Sequence, residues 1–457
     1  MNALTEQINR DLLRPVLETS WKFYAVVLVS GAIVAWALFA WGWQIAHGIG
    51  VSGKRRPEFW SLYITSFVFW IGISHAGTLI SAILRVTNAS WRRPVTRCAE
   101  AITVFALLIG SMFPLIHLGR VWVFYYLVPY PSERMLWPNY RSPLIWDFFA
   151  INAYLSGSLI YLFLPLLPDL ALLRDKAQGW RRRLYGVLSL GWRGTATQWH
   201  RLEKAVSVMA IVIIPVAVSV HTIVSWDFAM TINPMWNSTI FAPYFVVGAI
   251  FSGIAALIAA MAVLRRVLHL EAYLEEKHFS NLALLLLVMS LLWGYFTFTE
   301  YLTVWYANEP AEMAVWWSKV AGPYSPLFYT MIICCFVVPV PVIAFKWSRR
   351  IPVLAFASVL VCIGMWLERF LIVIPTLGHP RLPFNWRGYT TTWVELSIVA
   401  GTFAYFVLLY ALFTKLFPII SIWELKEGVR HEHKVPGKAA VHETEVEVDV
   451  DASAFKV

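Results

Sequence analysis

The chain has 457 residues, of which 59% are hydrophobic and only 14% charged, with a mean hydropathy of +0.63. A soluble chain of this length would divide into two or three domains, but the apolar runs here are too long and too frequent for a water-exposed fold. The net charge of +10 implies no nucleic-acid partner, because it collects in the loops of one side.

Residues 1–22 mix acids and bases without a cleavage site, and read as a polar or surface-lying segment rather than a signal peptide. Ten stretches then follow, each with enough apolar length for a hydrocarbon core of about 30 Å: 23–46, 59–84, 99–128, 144–172, 205–230, 240–264, 280–306, 323–345, 351–375 and 391–418. Lipid cannot satisfy backbone polar groups, so each is expected to be a helix. Trp and Tyr gather near span ends ("WKFY", "VWVFYYLVPYP", "WWSKVAGPYSP"), as interfacial belts do. From Glu424 the chain turns polar and reads as a tail. The expected division is 1–22, a membrane domain over 23–423, and a tail over 424–457.

Ten spans put both termini on one side. The termini and the loops on their side hold 27 of the 37 Lys and Arg, the opposite loops hold 9, and Arg369 lies inside a span. By the positive-inside rule both termini face the cytoplasm, and the basic belt also suits anionic membrane lipid. The four cysteines form no CxxC or CxxCH, which argues against a covalent haem or an iron–sulfur cluster in this chain. A faint repeat joins "SPLIW" (142–146) to "SPLFY" (325–329), and "AILRV" (82–86) to "AVLRRV" (262–267). Two four-helix bundles, spans 2–5 (about 59–230) and 6–9 (about 240–375), flanked by spans 1 and 10, would produce it. The fold class is an all-α integral membrane protein.

An ionisable group inside a span costs about 2.5–3.5 kcal/mol on insertion scales. His117, Asp147, Asp227, Glu300, Arg369 and Glu395 fall in one layer toward the face opposite the termini. His75 lies deeper, about 24 Å along span two at 1.5 Å per residue. Each has an ordinary reading: His117 as an interfacial hydrogen-bonding group, Asp147 as a carboxylate favoured by a helix start, Asp227 with Arg369 as a structural ion pair, Glu395 as a solvated helix start, His75 as packing. Ser142 offers a cap to the helix that carries Asp147. Together, a His, two carboxylates and an Arg at one depth suit quinol oxidation. A quinol loses two protons with its two electrons, and a His and an Asp are fitting acceptors. Trp146, Phe148, Phe149 and Trp226 would wall an apolar ring. His75, with Ser74, Thr78, Glu100 and Glu300, could form a proton path from the cytoplasmic side.

The stretch 75–174, from "HAGTLISAILRV" through "PLIHLGR" and "SPLIWDFFAINAYLSG" to "LLPDLALLRD", resembles the NrfD/polysulfide-reductase-type (PsrC-like) membrane subunits. Within that family it is most similar to the quinol-oxidising NrfD-like subunit (ActC) of bacterial alternative complex III. The likeness runs over about 20–425 and leaves out the tail. It implies ten spans in two four-helix bundles and a quinol site near the periplasmic face of a bacterial inner membrane, with menaquinone in preference to ubiquinone. It also implies an iron–sulfur partner subunit that takes the electrons, a second NrfD-like membrane subunit, cytochrome subunits of the c type, and no haem, cluster or metal in this chain. The family's site residues map onto His117, Asp147, Asp227 and Arg369. Two other readings stay open: a haem b-containing quinol oxidoreductase anchor, with His117 and His221 as one ligand pair, and a secondary transporter or ion pump. Against the second, no two spans are broken by Gly or Pro at matched positions.

Overall fold

The computed structural model describes residues 2–54, 59–128 and 142–434. The expected tail from 435 onward, and the part of the aromatic-rich loop at 129–141, lie outside the described residues. Among the described residues all regular structure is helical, and ten helices are long and apolar enough to cross a membrane. The chain is a multi-pass membrane protein.

In chain order the helices are α1 (Asn2–Leu17), α2 (Trp21–His47), α3 (Leu62–Val86), α4 (Thr96–Leu118), α5 (Pro143–Phe163), α6 (Leu167–Lys176), α7 (Gly179–Leu188), α8 (Ala196–Ala229), α9 (Phe241–Val267), α10 (Glu276–Ala307), α11 (Pro310–Val320), α12 (Ser325–Ile332), α13 (Pro339–Ala344), α14 (Ile351–Gly378), α15 (Trp393–Leu416) and α16 (Ile422–Lys434). The ends follow local chemistry. Ser20 Oγ accepts from the Lys22 amide, Thr195 and Gln198 make a reciprocal capping box, and Thr392 accepts from the Glu395 amide. Ser142 stands at the N-cap of α5 but makes no side-chain cap bond, and Pro143 opens that helix through its preset φ.

The third span is shorter than its apolar run. α4 stops at Leu118 because Gly119 takes φ +69°, and Val121–Leu127 continue as a 3₁₀ segment. The eighth span is interrupted. Pro339 has no N–H for the carbonyl of Cys335, four residues back, so the chain widens into a π segment at Ile333–Val337. Ser290 of α10 donates to that carbonyl at 2.6 Å and makes good the loss.

α3 is the hub. It packs on α4, α8, α9 and α14, while α2 packs on α15 at the periphery. α5 packs on α4 and α8, and α9 packs on α10 and α14. The α3–α4 approach depends on Gly77: a Cβ there would sit 1.8 Å from the Ala99 carbonyl oxygen. Small residues bring helix backbones together where lipid provides no hydrophobic drive. Thr103 Oγ1 uses the closeness, donating to Ser74 O at 2.7 Å and accepting from the Thr78 amide at 2.8 Å.

The face that carries both termini is tied by charge. α1 lays Ile8, Leu12, Leu13 and Val16 inward, one helical stripe. Arg97 bonds Asp169 at 2.6 Å and also donates to the carbonyls of Pro165, Pro418 and Ile420. Glu424, expected to begin a tail, is instead buried against Arg85, Arg92 and Thr96. Burial works against its charge, yet Arg92 and Arg85 hold its carboxyl below the usual range. The two arginines and the threonine hold α16 down, so ordered chain continues past 424.

Removing one partner of a buried pair strands the other. Asp169→Ala is therefore expected to cost about 3–5 kcal/mol, read as a lowered thermal midpoint of the detergent-purified protein. Glu18→Ala, which breaks the exposed Arg14–Glu18 pair, should leave the midpoint unchanged.

Candidate functional site

The buried residues of α5 recur as Asp147, Ile151, Tyr154, Ser158 and Tyr161, and those of α8 as Val206, Ala210, Ile213, Ala217, Val220, Val224 and Asp227. That three-and-four spacing is one stripe per helix, and it aims both carboxyls into the α5–α8 contact. Asp147 and Asp227 meet there within hydrogen-bonding reach. Two bare carboxylates offer four acceptors and no donor, so the contact needs a proton shared between them. Each aspartate keeps one enclosed oxygen, its Oδ1, without a hydrogen-bond partner among the described residues. Trp146 and Trp226, the preceding residues, stand edge to face with ring centroids 5.9 Å apart. Phe148 is half-buried beside them and Phe149 faces outward.

His117, at the end of α4, is held from an unexpected side. Lys54, in the α2–α3 connection, places its Nζ 2.6 Å from His117 Nδ1 and 2.8 Å from the His117 carbonyl oxygen. His117 Nε2 has no hydrogen-bond partner among the described residues. Burial pushes the Lys54 amine down to about 7, with Glu395 acting in the opposite direction. Glu395 is no solvated helix start. It is buried in the first turn of α15, where it accepts from Tyr389 Oη at 2.7 Å. Nearby, Tyr63 donates to Gln44, which in turn donates to the Ile116 carbonyl.

Arg369 does not pair directly with Asp227. Its guanidinium lies 4.7 Å from the centre of the Phe245 ring and 2.9 Å from Glu368 Oε2. Gly248 of α9 leaves the space it occupies, since a Cβ there would meet Nη2 at 2.7 Å. Glu368 also accepts from Trp293 Nε1 at 2.6 Å. Glu300 accepts from Ser238 at 2.9 Å and borders a cavity of ≈ 20 Å³ with Tyr244, Lys319 and Glu368. The cavity has room for about one water. Burial lowers Lys319, on the short α11, to about 8, against the pull of Glu300.

His75 is not alone. Its ring centroid lies 4.6 Å from that of His221. Its Nδ1 faces the Ile71 carbonyl at 2.7 Å and its Nε2 the Ala217 carbonyl at 2.6 Å, which joins α3 to α8. His221 has both ring nitrogens enclosed and without hydrogen-bond partners. These histidines do not fit a bis-histidine haem. An axial ligand needs a free nitrogen, His75 has both nitrogens on carbonyls, and its contact with His221 leaves no porphyrin-wide gap. His117 and His221 have different neighbours: Lys54 for the first, His75 and Phe245 for the second. Glu100 accepts from Ser81 at 2.6 Å, and no hydrogen bond among the described residues joins His75, Glu100 and Glu300 into one chain.

The structure thus brings Asp147, Asp227, Trp146 and Trp226 together and sets Arg369, Glu300 and Glu368 in a second polar group. Lys54, Glu368 and Lys319 were not singled out in the sequence. Glu368 had a signal, adjacency to Arg369 in "MWLERF". Lys54 and Lys319 stand in connections, where charge is ordinary.

Fold and site together define a many-span helical membrane protein with ionisable groups gathered toward one face. The chain belongs to the polysulphide reductase NrfD family, whose sequence model matches residues 50–379. It is similar to a putative dimethyl sulfoxide reductase membrane subunit of Halobacterium salinarum, 28% identical over 51% of this chain and 48% of that protein, so this match spans about half the relative's length. It is also similar to an Hdr-like menaquinol oxidoreductase integral membrane subunit of Archaeoglobus fulgidus, 22% identical over 90% of this chain and 97% of that protein. A selenate reductase subunit of Mesobacillus selenatarsenatis is 23% identical, over 88% of this chain and 95% of that protein.

The pairing can be checked by double-mutant cycles on thermal stability. Asp147→Ala with Asp227→Ala, and Glu368→Ala with Arg369→Ala, should each show a coupling of about 0.5–3 kcal/mol, whereas Asp227→Ala with Arg369→Ala should be additive within about 0.5 kcal/mol.

Proposed function

We propose that this chain is the quinol-binding and quinol-oxidising membrane subunit of an electron-transfer complex of the alternative complex III type. The supporting observation is the pair of enclosed, partnerless carboxyl oxygens on Asp147 and Asp227 beneath the Trp146–Trp226 edge-to-face contact. A buried polar atom without a partner is costly, and a ligand hydroxyl would relieve it. The aromatic walls suit a quinone ring in an otherwise apolar bundle. Two of the similar proteins are named for menaquinol or menaquinone. Menaquinol is the substrate this reading assigns.

In the proposed reaction the quinol gives one proton to the Asp147–Asp227 pair and one to His117. Its two electrons pass to an iron–sulfur partner subunit on the face opposite the termini. Phe148 and Trp226 line the ring. Arg369, behind Phe245, is a buried cation beside His221, and in this reading it is offered to a quinone oxygen. The Lys and Arg asymmetry supports termini in the cytoplasm, and in this reading the membrane is a bacterial inner membrane and the protons leave on its periplasmic side. A second NrfD-like protein and cytochromes of the c type complete the complex in this reading.

Asp147→Asn and His117→Ala are each expected to lower quinol:acceptor turnover by about 10²-fold or more, with subunit stoichiometry unchanged. Near-normal turnover in both variants would defeat the assignment.

A further inference from the structure

The contact between Lys54 and His117 has two chemically distinct states. If Lys54 is an ammonium, it donates to Nδ1, and His117 must carry its own proton on Nε2. If Lys54 is a neutral amine, its lone pair accepts the Nδ1 proton while one N–H still donates to the His117 carbonyl. Only the second state leaves the lone pair of Nε2 free, on the side of the ring that has no hydrogen-bond partner among the described residues.

We propose that Lys54 is the positioning and relay partner of His117, setting its tautomer and receiving the proton that His117 takes from the quinol. This rests on the reading of His117 as a proton acceptor. As the quinol O–H bond breaks, an Nε2–H bond forms. The Nδ1–H bond breaks in turn, and a third N–H bond forms on Nζ. The paired electrons of the quinol leave one at a time to acceptors of the iron–sulfur class. His117 ends neutral with its proton on Nε2, and Lys54 ends as an ammonium. Loss of the Lys54 proton to solvent and return of the imidazole proton to Nδ1 reset the pair.

The surroundings suit an amine that gains and loses charge. Lys54 is only half-buried and sits in a connection, so a proton on it has a way to water. Among the described residues the groups that face it are His117 from α4, the Tyr63 ring from α3 with its centroid 5.2 Å away, and Glu395 from α15, itself bonded to Tyr389. Glu395 balances the ammonium after transfer, and the aromatic face of Tyr63 adds to that. Gly53 permits the approach, because a Cβ there would meet the Thr390 carbonyl at 2.8 Å and the Tyr389 ring at 2.9 Å. Burial holds the amine near 7, so both of its states are within reach at neutral pH. The sign follows: above about pH 7 Lys54 is neutral and the relay is open, and as pH falls below that value it protonates and the relay closes.

The test is the pH profile of steady-state quinol oxidation by the purified complex, in the wild type and in Lys54→Arg, Lys54→Met and His117→Ala. The wild-type kcat should fall on an acid limb near pH 7. Lys54→Arg keeps a permanent donor against Nδ1. It should lose about tenfold or more in kcat at pH 8, with KM within about twofold and the acid limb gone. Lys54→Met should show the same loss and covers the case in which the arginine variant does not assemble. A wild-type profile without the limb, or lysine variants that keep both rate and limb, overturns the relay. In that event a slow His117→Ala leaves the quinol-site reading standing. A His117→Ala complex with normal turnover removes the relay and His117 as a proton acceptor, and the quinol-site reading then stands or falls with Asp147→Asn.

Discussion

Lipid offers no hydrogen bonds, and the arrangement of this protein follows from that. Every polar group within the spans must find a protein partner or stay costly. Most do. Arg97 spends its guanidinium on Asp169 and three carbonyls, Ser290 repairs the carbonyl that Pro339 leaves open, and Trp236 and Trp293 hand their indole N–H groups to the Ile372 carbonyl and to Glu368. Among the described residues the exceptions include the Oδ1 atoms of Asp147 and Asp227, both nitrogens of His221, and guanidinium nitrogens of Arg369 that make no hydrogen bond.

The two ends of the molecule divide the work. At the face of the termini, charges are paired and buried: α16 is clasped by Arg85 and Arg92 through Glu424, and α1 lies on the bundle by its apolar stripe. At the opposite face the buried ionisable groups of the described residues are less well satisfied. Lys54 leans on His117, the two aspartates share one contact, and Arg369 is shielded by Phe245 and balanced by Glu368. The first pattern holds helices in register. The second leaves buried ionisable groups with unfilled hydrogen-bonding capacity, the feature on which the proposed function rests.

α3 links these regions. Gly77 lets it touch α4, His75 ties it to α8 through the Ala217 carbonyl, and its neighbours α9 and α14 carry Phe245 and Arg369. His75 and His221 are in ring contact, and His221 also feels the Arg369 cation of α14. The polar groups of spans two, five and nine therefore belong to one packed interior.

The sequence alone determined the solvent, the class and the number of spans. A run of about 20 apolar residues has only one stable form in a bilayer. It also showed which ionisable residues lie at one depth, because each helical residue advances 1.5 Å along its axis. It singled out Asp147 and His117 as ionisable residues inside apolar runs. Depth along an axis does not say which helix is the neighbour, or how a helix is rotated toward it. The tertiary structure decided that Asp227 meets Asp147 and not Arg369, that Arg369 lies with Glu368, and that Glu395 is buried. It decided too that His221 faces His75, and that a lysine from a connecting segment reaches His117. Those choices arise from packing at sites such as Gly77 and Gly248, where the missing Cβ admits a neighbour that no local pattern announces.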